Sequence, residues 1–480
     1  MGAHRVGPAN RRARVVFATV VALLMVSTVL VVPARAAALA CGDVITQDTT
    51  LTADVGPCAG TGLVVAANGI TLDLGGHRVI GDAEARSTNE ELGPTGRDRA
   101  GIVLRQVQNV TVTNGTVTGF DAGVAIVGGG DNIVRRVTAR DNVNYRLITG
   151  RDARPTDVDP MDGPFCWFGE GIVTLDSSRN RLEHNRLIGN GPFSGVSLVG
   201  NSDDNVVAKN RAFDNDLINV TPNGDVTICG GIGDPMQPQP MSAGRRVQDI
   251  GIRVEGPGAE RNLLEGNRIV RAGLAGIMVH GHNERAGAPA NSHTVIRRNR
   301  VFQTGTVGQG IERQLHGIML HHSGASAVNA PHSTLIEGNT SSFNLGGGIF
   351  LDSRGGMHST VVRNNTLNHN GLDGLHVAGP GDPRGEPNVL INNRAHHNGS
   401  RAQAVNEGPD RNANYAGTDG ADMSEGCVHN VWLRNRFGTV NQPCVAAGGT
   451  GSLHGPGNSG NARPDDVGPP LGRGGGGHRR

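Results

Sequence analysis

One short phrase returns along most of this chain, and it limits the fold more than any other feature. It runs Gly, apolar, variable, apolar. The copies are Gly123-Val-Ala-Ile, Gly195-Val-Ser-Leu, Gly251-Ile-Arg-Val, Gly276-Ile-Met-Val, Gly317-Ile-Met-Leu, Gly348-Ile-Phe-Leu and Gly374-Leu-His-Val. A second phrase follows the later copies and ends in Asn: Asn262 to Asn267, Thr294 to Asn299, Thr334 to Asn339, Thr360 to Asn365 and Asn388 to Asn393. Where no insertion intervenes the interval is 25 residues, as from Asn185 to Asn210, or 26, as from Asn339 to Asn365. The apolar pieces are three to five residues long with period two, too short for helices. Each repeat therefore holds three short strands separated by turns. No coil of that size can bury its inner face alone, so the coils must stack.

The closing Asn recurs as Asn185, Asn210, Asn267, Asn299, Asn339, Asn365, Asn393 and Asn435. An amide there can bond the turn backbone and the Asn of the next coil, so these residues read as an architectural ladder rather than a ligand site. Composition agrees with thin coils: Gly is 74 of 480 residues and aromatics are 3%. Valine, isoleucine and leucine must fill the interior. Basic and acidic residues number 44 and 43, a net charge of +1, so no bulk field favours nucleic acid or an anionic membrane.

Residues 1–40 carry Arg11, Arg12 and Arg14, an apolar run from Val15 to Val32, and then the small-residue stretches Ala34-Arg35-Ala36 and Ala38-Leu39-Ala40. That order is the pattern of an export signal, Sec-type or, from Arg11-Arg12, twin-arginine, and predicts a secreted protein with no stable membrane anchor. An uncleaved span is the alternative. Six cysteines in an exported chain predict disulfides. Proximity in sequence suggests Cys41–Cys58 and Cys427–Cys444 at the two ends, leaving Cys166 with Cys229. From about Ala446 the Gly- and Pro-rich tail to 480 reads as disordered.

These repeats resemble those of the pectin-lyase-like parallel β-helix superfamily, in particular exported repeat proteins that include copper-site maturation factors of nitrous oxide reductase. The opening from Cys41 through Cys58 and Gly69-Ile-Thr-Leu-Asp-Leu-Gly-Gly-His77 resembles the N-terminal cap and first coil of such proteins. The resemblance covers roughly residues 41–445. It implies an all-β chain, a single right-handed parallel β-helix with three short strands per coil and roughly ten coils. It says little of function, because the fold carries lyases, hydrolases, epimerases and non-enzymes. The Asp-Pro-His signature of uronan epimerases and the Asn-Thr-Asp and Gly-His-Gly signatures of polygalacturonases find no match, and a single lysine, Lys209, leaves few choices for a lysine-dependent lyase.

Insertions gather before the Gly-phrase strand (144–170, 217–248, 303–316, 400–426) and after it (282–292, 323–333, 379–387), so loops would wall a groove over that row. Strict alternation turns Glu255, His280, His321, Asp352 and Ala378 outward on successive coils, with Arg253, Met278, Met319, Phe350 and His376 two places earlier. His282, His322 and Arg354 come just beyond. Acid, imidazole, imidazole, acid beside two arginines is unlike Val127, Leu175 and Val199 on earlier coils. The candidate catalytic set is therefore His280, His321, Asp352, Glu255, Arg253 and Arg354. His282, His322, His376 and Trp167 are candidates for holding substrate, Trp167 with packing under Cys166 as its alternative. A divalent metal, if bound, would take His280, His321 and Asp352. Asp157, Asp159 and Asp162 offer calcium-type oxygens, but without EF-hand spacing they read as an ordinary solvated loop rather than a calcium site.

Glu255 and Asp352 lie three rungs apart, roughly 14 Å at about 4.8 Å per rung. Inverting glycosidases need about 6.5–9.5 Å and retaining ones about 5–5.5 Å. Proton abstraction beside a carboxylate suits the histidines better, with arginine neutralising the substrate's charge. The expected function is binding or conversion of an extracellular uronic-acid-type polysaccharide, by a lyase or epimerase rather than a hydrolase. The alternatives are a non-catalytic metal-handling protein and a passive envelope protein, and outward histidines on a solvated sheet could simply stack.

Overall fold

The computed structural model describes residues 39–82, 99–143, 158–159, 163–164, 169–191, 193–215, 250–256, 258–282, 290–305, 315–323, 330–352, 356–407 and 415–454. Their strands form one sheet of 35 members, paired parallel from coil to coil, beside a short antiparallel pair at Val158–Asp159 and Gly163–Pro164. Each coil contributes to three rows. The first row holds the Gly-led strands, among them Ser194–Val199, Ile250–Glu255, Ala275–His282, Ile318–Ser323, Ile349–Leu351 and Leu375–Val377. The second holds Leu263–Glu265, Val295–Arg297 and Leu335–Glu337, and the third Arg268–Val270, Arg300–Phe302 and Thr340–Ser342, with their counterparts in other coils.

Alternation sends one set of side chains into the coil. Ile252, Ile277, Ile318, Ile349 and Leu375 stack rung on rung from the first row, all fully buried. Leu264, Ile296 and Ile336 do so from the second, and Ile269 and Val301 from the third. These columns form a continuous aliphatic core. Burying one such side chain contributes about 1.5–3 kcal/mol, and each meets its own kind above and below.

The leading glycine has a steric cause. A Cβ on Gly276 would lie 2.1 Å from Val301 Cγ1 and 2.6 Å from the Gly317 carbonyl oxygen. At Gly348 it would meet the Gly374 carbonyl at 2.6 Å and Asn370 Nδ2 at 2.9 Å. The chain turns here from the third row into the first, and only a hydrogen fits.

The asparagine ladder is present, and it is one of three. Asn267, Asn299, Asn339, Asn365 and Asn393 each accept the backbone N–H of the ladder residue one coil earlier, at 2.8–3.1 Å. Asn132, Asn180, Asn205 and Asn262 make a second ladder before the second row. Asn344, Asn370, Asn398 and Asp419 belong to a third, before the first row. Every corner of the coil thus satisfies its turn backbone internally.

Disulfides Cys41–Cys58 and Cys427–Cys444 lie at the two ends, as proximity suggested. Cys166 and Cys229 are outside the described residues. Regular structure continues past the tail boundary expected at 446: a helix spans Pro443–Ala447, and Gly449–Leu453 adds a last parallel strand. That strand is mostly exposed, held by backbone pairing without an apolar alternation that sequence could reveal.

Candidate functional site

In the first row Glu255 pairs in register with His280, and His280 with His321. Asp352 follows on the next rung, its backbone N–H donating to Leu320 O at 2.9 Å. Parallel stacking therefore brings acid, imidazole, imidazole and acid together on consecutive coils. Glu255 Oε1 stands 3.6 Å from His280 Nδ1, the His280 and His321 rings are 5.1 Å apart, and His321 Nε2 is 3.8 Å from Asp352 Oδ2. The two acid–imidazole separations are ion-pair distances, longer than hydrogen bonds.

The outward face is covered rather than solvated. Glu255 is 6% exposed, His280 3% and Asp352 1%, while the His321 side chain retains 14%. His321 is thus the member that meets solvent. Arg253 is also buried; its guanidinium lies over the Phe193 ring at 4.9 Å and is ion-paired with Glu255. Burial lowers the Arg253 guanidinium to about 10, with the charge of Glu170 opposing the shift, so it stays cationic at neutral pH. Its charge serves Glu255 first, which corrects the expectation of an arginine standing ready for a substrate carboxylate.

Two places earlier on each strand the same face becomes apolar. Met278, Met319 and Phe350 stack in register and pack with Ile250, Leu274, Leu315 and Tyr415 as a separate cluster outside the coil. A short helix, Ala402–Glu407, contributes Ala402 and Val405. This second core explains the burial: long side chains that would lie flat on an open sheet here cover one another.

His376 ends that column, stacked on Phe350 with ring centres 5.0 Å apart. Its Nδ1 bonds Asp373 Oδ2 at 2.7 Å, and Asp373 also accepts the backbone N–H groups of Thr418 and Ala416. With the carboxylate acting as acceptor in all three contacts, the His376 ring donates to it from Nδ1. Beside it His316 stacks on Phe350 at 4.5 Å, accepts the Gly347 N–H on Nδ1 and bonds the Tyr415 hydroxyl through Nε2 at 3.2 Å. A ring accepting at Nδ1 carries its proton on Nε2, so His316 donates to the phenol oxygen.

Asp373, His316 and Tyr415 were not anticipated. The first two stand immediately before Gly374 and Gly317, and reading that position coil by coil would have found them. Tyr415 comes from an insertion and has no such signal. His282 and His322 continue the row, His322 opposite Gly281 and His282 opposite Ser323. Arg354 and Trp167 lie outside the described residues, as do most of the loops expected to wall the groove. Among the described residues no three His, Cys, Asp or Glu side chains are arranged to hold a metal ion. His280, His321 and Asp352 form a line along the rungs rather than a cage.

The family model described as a right-handed β-helix region matches residues 64–230. Among solved structures, the Dettilon tailspike protein is similar at 16% identity and a TM-score of 0.42, over 73% of this chain and 54% of its own. The catalytic unit of an α-1,3-glucanase from Streptomyces thermodiastaticus is similar at 13% identity and 0.45, over 74% of this chain and 57% of its own. The periplasmic alginate epimerase AlgG is similar at 11% identity and 0.40, over 73% of this chain and 76% of its own. No curated protein matches the sequence. Repeat phrase and parallel register agree with the partial family match: the fold is a right-handed parallel β-helix.

Proposed function

We propose that this is an exported protein that acts on a uronic-acid-type polysaccharide by proton transfer next to the carboxylate, as a lyase or epimerase. One observation carries the reading: the buried line Glu255, His280, His321, Asp352, open to solvent at His321. His321 is the acid–base group that meets the sugar, and Asp352 orients it. His280, backed by Glu255 and Arg253, stands one rung away as the second proton-transfer group. A row of rungs at about 4.8 Å supports binding of an extended polymer across successive coils. The three-rung separation of Glu255 and Asp352 disfavours hydrolysis by that carboxyl pair. Export is supported by the N-terminal signal pattern and the two disulfides. No specific arrangement among the described residues favours the metal-handling or passive-envelope alternatives.

The test is turnover of alginate and polygalacturonate, following the unsaturated product by absorbance and epimerisation by proton NMR. His321→Ala should lower the rate by about 10²–10⁴-fold, and His280→Ala by a similar or smaller factor. Full activity in the double variant would remove both residues from the mechanism.

A further inference from the structure

The ladder asparagines are repeatedly followed by arginine: Asn185-Arg186, Asn210-Arg211, Asn267-Arg268, Asn299-Arg300, Asn393-Arg394 and Asn435-Arg436. The asparagine turns inward and the arginine outward. In the third row Arg186, Arg211, Arg268 and Arg300 are register partners on consecutive rungs. Thr340 and Thr366 continue the column, then Arg394 and Arg436. All six arginines are exposed, and among the described residues none makes an ion pair. Arginines nearby behave differently: Arg297 holds Glu265 and Arg363 holds Glu337.

Like charges directly opposite on neighbouring strands repel, at a rung spacing of about 4.8 Å. The fold does not require them, because threonine occupies the same register at 340 and 366. Arg268 lies over the Phe213 ring at 6.0 Å, but among the described residues no acid neutralises the column, and uncompensated like charge that costs stability points to an anionic partner outside the chain. Where the column ends, a polar hollow of about 710 Å³ is lined by Arg394, Arg434, Arg436, Asn364, Asn392 and Thr366. The net charge of +1 over the whole chain makes this a local concentration and not a bulk property.

We propose that the arginine column is a docking track for a polyuronate chain. Such a polymer carries one carboxylate per sugar, and a guanidinium binds a carboxylate through two parallel N–H donors. Single-strand nucleic-acid binders add aromatic stacking platforms, which a chain with 3% aromatics scarcely offers. The track is on the third row, goes beyond the first-row reading, and does not need that row to be catalytic.

Labelled alginate oligosaccharide, titrated by fluorescence polarisation into the full chain carrying His321→Ala, tests it without turnover of the probe. The fourfold change Arg186→Thr, Arg211→Thr, Arg268→Thr and Arg300→Thr copies residues the column already tolerates. It should weaken binding at least tenfold and flatten the loss of affinity between about 50 and 200 mM salt. The matching fourfold lysine variant should keep most of the salt-dependent binding. Equal affinity of threonine variant and parent, or no binding by the parent, would overturn the track. An oligothymidine probe binding as tightly, with the same dependence on the arginines, would overturn the choice of polyuronate. Because binding is read separately from turnover, failure of the track and failure of the first-row reading give different results.

Discussion

Asn339 shows how much one residue can hold in a stacked coil. Its Oδ1 accepts the backbone N–H of Asn299 and also Asn299 Nδ2, and its own Nδ2 donates to Ile296 O and Asn365 Oδ1. The residue is buried, so each of those groups loses water as well as partner if the amide goes. Leaving one buried polar group unmatched costs about 1–3 kcal/mol. Asn339→Ala should therefore destabilise the neighbouring coils by about 3 kcal/mol or more, with the Asn299 amide exchanging fastest. Hydrogen exchange is the right measurement, because a repeat array loosens locally and one unfolding midpoint would average over coils. Unchanged protection at Asn299 would mean the ladder is dispensable there. Asn339→Asp should be at least as harmful, since it sets a carboxylate oxygen against the Ile296 carbonyl.

At the scale of the strand, the Gly-led element fixes both packing and site. Gly276→Ala drives a methyl against Val301 Cγ1 and the Gly317 carbonyl, at the foot of the strand that carries His280. Overpacking of this kind costs about 1–3 kcal/mol. The variant should melt earlier and lose activity together with stability. Adding Val301→Ala removes the nearer contact and should restore part of both, whereas no recovery would place the strain at the Gly317 carbonyl. The same element shows what sequence can reveal. Period-two alternation sufficed to bring Glu255, His280, His321 and Asp352 to one face, because a parallel stack without slippage preserves register from coil to coil. It could not reveal that the face is covered, since the cover comes from Tyr415, Leu315 and the Ala402–Glu407 helix, which lie in insertions without periodicity. It missed His316 and Asp373 for a related reason: they sit in the corner before the glycine, where alternation gives no direction. Two of the three ladders went unread because threonine or aspartate replaces asparagine at several of their rungs, as at Thr304 and Asp419.

Across the whole stack, register repeats histidine as well as arginine. His293, His332 and His358 occupy successive coils, with ring centres 6.3 and 4.5 Å apart and the nearer pair stacked. Each Nδ1 bonds the hydroxyl of an adjacent serine: Ser292, Ser333 and Ser359. Burial, and then the positive charge that His358 and His293 can carry, hold the half-buried His332 below its ordinary value, with Glu260 and Asp382 opposing. In the unfolded chain this ring titrates near 6.5. Between the lowered folded value and about 6.5 the unfolded chain binds more protons, so stability rises with pH across that window. Above 6.5 the ring is neutral in both states and contributes no slope. Lowering the pH from 7 to 5 should therefore loosen the coils around residues 292–296 and 334–336 before the rest, seen as faster amide exchange confined to that stretch. His332→Gln keeps a polar side chain that cannot charge and should abolish much of that local pH dependence. Were the variant to keep the same profile, the acid sensitivity would have to arise from carboxylates such as Asp382, whose pKa its bonds to Arg384 already lower. Protonating that carboxylate would loosen the coils in a more acidic range than the histidine does, so the two sources are separated by the pH at which protection is lost.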